Sequence, residues 1–231
     1  AEMPDVYPPG ELDLAGFAVG VVELERAINP LRVKPGDVVL GLGSDGIHSN
    51  GYTLVRKIVA EAGLDLGAVY PELSEETKRT KGGPSAKRAG KVRGNEEGGR
   101  TLGRVLLTPT RIYVAPIVKL QRDYKVKKVI SGMAHITGSG MAGNLCRALN
   151  PRVDAVIDTA SWPVPPVFTF LQKHGGVPDD EMRRVFNMGI GYCVIVRPDF
   201  ADSIGLRLRK LGERVYAIGR IVKGRGEVRE E

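Results

Sequence analysis

The 231-residue chain is poor in the residues that most readily announce a chemistry: two cysteines, three histidines, one tryptophan and 6% aromatics. Cys146 and Cys193 share no metal or redox spacing, which argues against a disulfide-stapled scaffold, a zinc module or a dithiol centre. Two buried free thiols in a reducing compartment are expected instead. Apolar runs such as Val38-Val39-Leu40 fall far short of the roughly 20 residues a membrane helix needs. Residues 1–11 carry acidic side chains and three prolines where a signal peptide would be apolar, so none is expected. A phosphate loop of the form Gly-x-x-x-x-Gly-Lys-Ser/Thr is also missing.

Negative charge is in short supply too, leaving a net +7. Residues 78–100 alone hold eight basic against two acidic side chains, and so carry +6 of that excess. The stretch has glycine and serine spacers, a single Val92 and no aromatic residue on which a base could stack. It reads as a flexible basic insertion over 75–101, and no nucleic-acid or membrane partner is expected.

What is present is an alternation of strand and helix patterns. Strands are expected at 14–22, 37–42, 126–130, 154–158, 188–196 and 214–222. Helices are expected at 52–62, 102–107, 112–120, 141–149, from Pro165-Pro166 to Gly175-Gly176, and at 179–186 and 200–211. The charged residues 225–231 read as a frayed tail. The pattern predicts an α/β domain, α+β-like in having a mixed sheet, with helices packed on one or both faces. The apolar segment at 14–22 lacks an early strand to pair with, so the chain reads as starting inside a larger fold.

Two glycine-rich stretches stand between strand and helix patterns. Gly41-Leu42-Gly43-Ser44-Asp45-Gly46 formally matches a dinucleotide fingerprint, but residues 47–51 delay the helix and Gly51 would disrupt its first turn. Ser49 and Asn50 are candidate N-caps for that helix. Their backbone donors, the hydroxyls of Ser44 and Ser49 and the His48 ring could converge on a phosphate or an amide; an ordinary polar turn fits the residues equally well. The second stretch, 131–140, contains His135 beside Thr137, Gly138 and Ser139. Glycines there would let the backbone approach a ligand, and an imidazole suits proton transfer near neutral pH. His174, at the end of a helix pattern, reads as a cap on the last carbonyls. Trp162 reads as packing over a turn.

Several motifs in register resemble one family. They are Ala-Glu-Met-Pro at 1–4, Asp-Leu-Ala-Gly-Phe at 13–17, Gly-Ile-His-Ser-Asn-Gly-Tyr at 46–52 and Leu-Val-Arg-Lys at 54–57. Further along come Leu-Leu-Thr-Pro-Thr-Arg-Ile-Tyr at 106–113, Ala-His-Ile-Thr-Gly at 134–138 and Phe-Asn-Met-Gly-Ile-Gly at 186–191. Together they resemble the aminoimidazole ribonucleotide (AIR) synthetases from end to end, apart from the basic insertion. The resemblance implies the C-terminal domain of the AIR synthetase-related fold at 30–224, and at 1–29 a remnant of the N-terminal ATP-binding domain with its last strand.

The resemblance also implies a chemistry. It is ATP- and Mg²⁺-dependent closure of formylglycinamidine ribonucleotide to aminoimidazole ribonucleotide, in a cytoplasmic enzyme that is a homodimer when intact. It puts forward His135 and His48 as catalytic, with Ser44, Ser49, Asn50, Gly51, Thr137, Gly138 and Asn187 binding substrate. Glu2 would touch the cofactor, whose other ligands belong to the N-terminal domain. Two positions depart from the family pattern: Asp45 stands where serine is usual, and Ser139 where glycine is. Asp45 puts negative charge beside an expected phosphate, which is unfavourable unless a metal or an arginine compensates. The alternatives are a non-catalytic substrate-binding or assembly module, and a sister phosphotransferase such as selenophosphate synthetase.

Overall fold

The apolar residues around position 40 form β1 (Val38–Gly43), and their side chains divide between two cores. Val39 packs into one with Cys193 and Ile195, while Leu40 and Leu42 pack into another with Val194 and Val196. Alternation with period two thus buries both faces of the sheet's centre. This computed structural model describes residues 16–73, 99–124 and 128–231.

The remaining elements are α1 (Tyr52–Glu61), α2 (Leu102–Leu106), α3 (Val114–Asp123), β2 (Ile130–His135), α4 (Gly140–Leu145), β3 (Val153–Ile157), α5 (Pro166–Gly175), α6 (Asp179–Val185), β4 (Ile190–Val196), α7 (Ala201–Lys210), β5 (Val215–Lys223) and β6 (Val228–Glu230). The strands form one mixed sheet in the order β2-β4-β1-β5-β3-β6. All neighbours are antiparallel except β3 and β6, which run parallel. On one face Met141 and Leu145 of α4 join the core. On the other, Ile117 and Leu120 of α3 meet Ile204 and Leu208 of α7. A third core is made by helices: Val55 and Ile58 of α1, Leu102 and Leu106 of α2, Phe168 and Leu171 of α5, and Met182 of α6.

The order of strands decides where ligand-facing loops can gather. β4 lies between β2 and β1 and is antiparallel to both; β5 flanks β1 on its other side, also antiparallel. The chain therefore leaves β1 and β2, and enters β4 and β5, at one end of the sheet.

Five expectations need correction. Residues 16–22 form no strand and are exposed, Phe17 at 92% and Val21 at 100%, because no strand of the sheet pairs with them. The strand expected at 126–130 begins at Ile130 and runs to His135, through the first half of the glycine-rich stretch. Gly132 belongs to that strand because a Cβ there would stand 2.9 Å from Ile195 Cδ1 and 3.2 Å from the Ala148 carbonyl oxygen. The N-cap of α1 is Gly51, not Ser49 or Asn50. His174 does not cap α5; Gly176, at φ +56°, closes it by donating to the Gln172 carbonyl, while the His174 ring lies 4.3 Å from that of Phe170. The tail is not frayed. Asp154 Oδ1 accepts the main-chain N–H groups of Arg225, Gly226 and Glu227, and this pins the turn that returns the chain as β6.

Glu2, residues 14–15 and nearly all of the basic insertion lie outside the described residues. No helix among the described residues is long and apolar enough to cross a membrane. Cys146 and Cys193 are free thiols, Cys193 buried as expected and Cys146 only partly buried.

Candidate active site

Four segments meet at the shared end of the sheet: 43–51 after β1, 136–139 after β2, 108–113 before α3, and 187–189 before β4. Main-chain bonds tie the segments after β1, after β2 and before β4 to the strand ends. Ser44 N donates to the Gly189 carbonyl at 2.8 Å, Gly43 N to the Arg214 carbonyl at 2.9 Å, and Ile136 N to the Gly191 carbonyl at 2.9 Å.

Asn187 organises the first segment. Its Nδ2 donates to the Gly46 and Ile47 carbonyls at 2.9 and 3.2 Å, and its Oδ1 accepts from Ser44 Oγ at 2.7 Å and Gly189 N at 2.8 Å. Both donors and both acceptor positions of a buried amide are thereby used inside the protein. Asn187 and Ser44 shape the loop rather than point into open space. Thr137 and Gly138 are held in the same manner: Asn144 Oδ1 accepts from the Thr137 hydroxyl at 3.2 Å, and its Nδ2 donates to the Gly138 and Gly140 carbonyls at 2.9 and 2.7 Å.

Gly51 has φ +82°, and a Cβ there would strike Phe186 Cε1 and fall 2.8 Å from Val185 Cγ1. Only glycine lets α1 start this close to the end of α6. No side chain caps α1, so its first N–H groups remain available as donors. Ser49, exposed, shares a 2.7 Å hydroxyl contact with Thr110. Asn50 Oδ1 lies 3.5 Å from where a Gly138 Cβ would be, which brings the two glycine-rich loops together.

Aromatic rings fill the space between the two histidines. Tyr113 is centred 6.3 Å from His48 and 6.1 Å from His135, and Tyr192 lies 5.4 Å from Tyr113 and 5.9 Å from His135. A Cβ on Gly191 would strike Tyr113 Oη and stand 2.7 Å from His48 Cε1, so this glycine makes room for the cluster. Tyr113 Oη donates to the Gly43 carbonyl at 2.9 Å, and burial raises its pKa above the usual phenol value. His48 is 3% exposed. Its Nε2 accepts from Asp45 N at 3.1 Å and Arg111 N at 3.4 Å. Burial pushes its pKa down to about 4; Asp45 opposes the shift, and His135, Arg111 and Arg214 add to it. His135, by contrast, ends β2 with an exposed side chain.

The charge on Asp45 is compensated by arginine. Arg214 reaches it at 2.7 Å and Arg111 at 3.1 Å. Arg111 also pairs with Glu213, whose side chain is 4% exposed, at 2.8 Å, and donates to the Gly212 carbonyl. The backbone carries strain here as well. His48, Ser139 and Met188 have positive φ of 61°, 76° and 49°, and they are the non-glycine residues so strained among those described. Ser139 occupies the left-handed N-cap of α4, a place where glycine would be relaxed.

Sequence reasoning missed Arg111, Tyr113, Asn144, Tyr192 and Arg214. Arg111 and Tyr113 stood inside a quoted motif, but nothing local reveals the partners of Arg111, which lie 66 and 102 residues away. Among the described residues no group of three or more His, Cys, Asp or Glu side chains could share a metal ion. A cavity of about 400 Å³ lies away from these loops, lined by Val21, Ile28, Arg122, Tyr124 and Lys128 among others.

The fold is an α/β domain with a mixed sheet and two glycine-rich loops at one end, and comparison with known proteins makes the class specific. The family model described as AIR synthase related protein, C-terminal domain, matches residues 34–230, and the chain belongs to that family. The phosphoribosylformylglycinamidine cyclo-ligase of Paraburkholderia phymatum is 47% identical over 221 residues, 96% of this chain and 54% of its own length. That of Nitrosospira multiformis is 44% identical over 227 residues, 98% of this chain and 56% of its own. The chain thus spans about half the length of the curated relatives it matches. Among solved structures, thiamine-monophosphate kinase from Stenotrophomonas maltophilia K279a superposes with a TM-score of 0.53 at 15% identity, over 91% of this chain and 54% of that one. A HypE-HypF complex gives 0.51 at 16%, over 88% and 52%. These two likenesses establish the fold alone.

Proposed function

We propose that this chain supplies the substrate half of an ATP-dependent phosphoribosylformylglycinamidine cyclo-ligase. The observation that carries this is the meeting of the 43–51 and 135–139 loops at one end of the sheet, in a chain whose relatives bear that name. In the reaction, the formamide oxygen of formylglycinamidine ribonucleotide takes the γ-phosphoryl group and ADP leaves. An amidine nitrogen then attacks the activated formyl carbon, phosphate departs and the ring nitrogen gives up a proton. Water competes with both steps, so the site must hold the reacting nitrogen and carbon together. His135, exposed at the end of β2, handles the proton or polarises the formamide. Ser49, Asn50 and the uncapped N-terminus of α1 from Gly51 onward orient the substrate and face its phosphate. Thr137 and Gly138 present the backbone opposite Asn50, and Ser44 and Asn187 hold the loop in shape. His48, buried beside Tyr113, lies in the same loop.

The described residues do not fit a Mg²⁺ cage, since they hold no suitable cluster and Asp45 is engaged by two arginines. Glu2 of this chain would touch the cofactor, as the resemblance implies, and the other ligands of ATP and its metal would come from the part of the protein that the relatives carry beyond this span. The whole enzyme would be a cytoplasmic homodimer, as the resemblance implies. The test is ADP release by the intact protein, with formylglycinamidine ribonucleotide set against thiamine monophosphate and selenide as acceptors. Release that depends on the first compound alone supports the proposal. Release with either of the others, and none with the first, moves the chain to a sister phosphotransferase.

A further inference from the structure

We propose that His48 is a positioning residue: an uncharged crosslink whose Nε2 accepts main-chain N–H groups from two separate segments, so that proton transfer in the ring closure falls to His135. This rests on the function proposed above and divides its two histidines. A proton-transfer base needs a lone pair aimed at the substrate. The lone pair of His48 Nε2 instead faces the backbone N–H of Asp45 at 3.1 Å and of Arg111 at 3.4 Å. A backbone N–H only donates, so Nε2 carries no proton and the neutral ring holds its proton on Nδ1, a buried atom with no hydrogen-bond partner.

The surroundings oppose a second proton. His48 is 3% exposed and lies beside the tilted Tyr113 ring, with Gly191 on β4 giving it room. The charged and titratable groups that face it are Asp45 on its own loop, Arg111 before α3, His135 at the end of β2 and Arg214 before β5; only the Asp45 carboxylate favours a positive ring. The strained backbone at φ 61° fits a side chain fixed by its neighbours. The segments it joins present Ser49 and Thr110 to each other, so the crosslink sets the spacing of that surface.

The test uses the intact protein with ¹⁵N-labelled histidine, the His48 signals being assigned by their loss in His48→Gln. The proposal expects a bare Nε2, a protonated Nδ1 and no titration of this ring between about pH 5.5 and 8.5. Glutamine places an amide oxygen near the site of Nε2, so His48→Gln should keep kcat within about tenfold and leave the pH profile unchanged, whereas His135→Gln should lose about 10²-fold or more. His48→Ala should raise KM more than it lowers kcat. A protonated Nε2, a His48 ring titrating within that window, or a folded His48→Gln variant that loses about 10²-fold in kcat together with a limb of the pH profile would overturn the proposal. If the intact protein does not cyclise the ribonucleotide, the functional reading fails while the NMR arm still decides the state of His48.

Discussion

Replacing Asn187 by alanine removes four hydrogen bonds at once, two accepted and two donated, from a buried amide that holds the 43–51 loop. Each such bond nets about 0.5–1.5 kcal/mol, and water entering the vacated space recovers part of the loss, so we expect a destabilisation of about 3 kcal/mol. At roughly 2–4 °C per kcal/mol for a domain of this size, Tm should fall by about 6–12 °C. The comparator is Asn187→Asp, which keeps the shape but turns an acceptor toward the Gly46 and Ile47 carbonyl oxygens. It should cost at least as much at neutral pH. Scanning calorimetry and urea melts of both variants measure this. A shift of about 1 °C or less in either variant would refute the claim that the amide carries the loop.

Ser139→Gly should stabilise the protein by roughly 0.5–1 kcal/mol, because the left-handed N-cap strains serine; a urea melt checks this. Arg111→Ala leaves the Glu213 carboxylate, 4% exposed, without its guanidinium. The loss should be about 2–3 kcal/mol by denaturant unfolding, less than for a fully buried pair because Arg111 is 25% exposed. His48 has a folded pKa of about 4 against an ordinary 6.5, so the unfolded chain takes up this proton first as pH falls. Its contribution to stability is complete above about 6.5 and is lost as pH drops toward 4. Calorimetry across that range should show the decline in the parent protein and not in His48→Gln.

The central strands were legible because their apolar residues alternate with period two, as at Val39 and Leu40 or Val194 and Ile195. β2 was placed too early because Gly132 looked like a loop residue, when it serves a close approach to Ile195 and Ala148 that no local pattern records. The exposed 16–22 segment has strand composition, but composition cannot supply an edge to pair with. β6 was hidden for the opposite reason: a charged tail becomes a strand because Asp154, about seventy residues earlier, gathers its N–H groups. In the site, His135, Ser49, Asn50 and Gly51 stood out as glycine-loop residues. Arg111 and Arg214 did not, since their value lies in Asp45 and Glu213 and appears only once β1 and β5 are side by side.

The most direct measurement of the central claim is ADP release by the intact protein that depends on formylglycinamidine ribonucleotide, compared between the parent sequence and His135→Ala. The account predicts substrate-dependent release in the parent and a loss of about 10²-fold or more in kcat in the variant, with the fold intact by circular dichroism. Turnover near the parent rate in His135→Ala would contradict it, as would a parent protein that releases no ADP in response to this substrate.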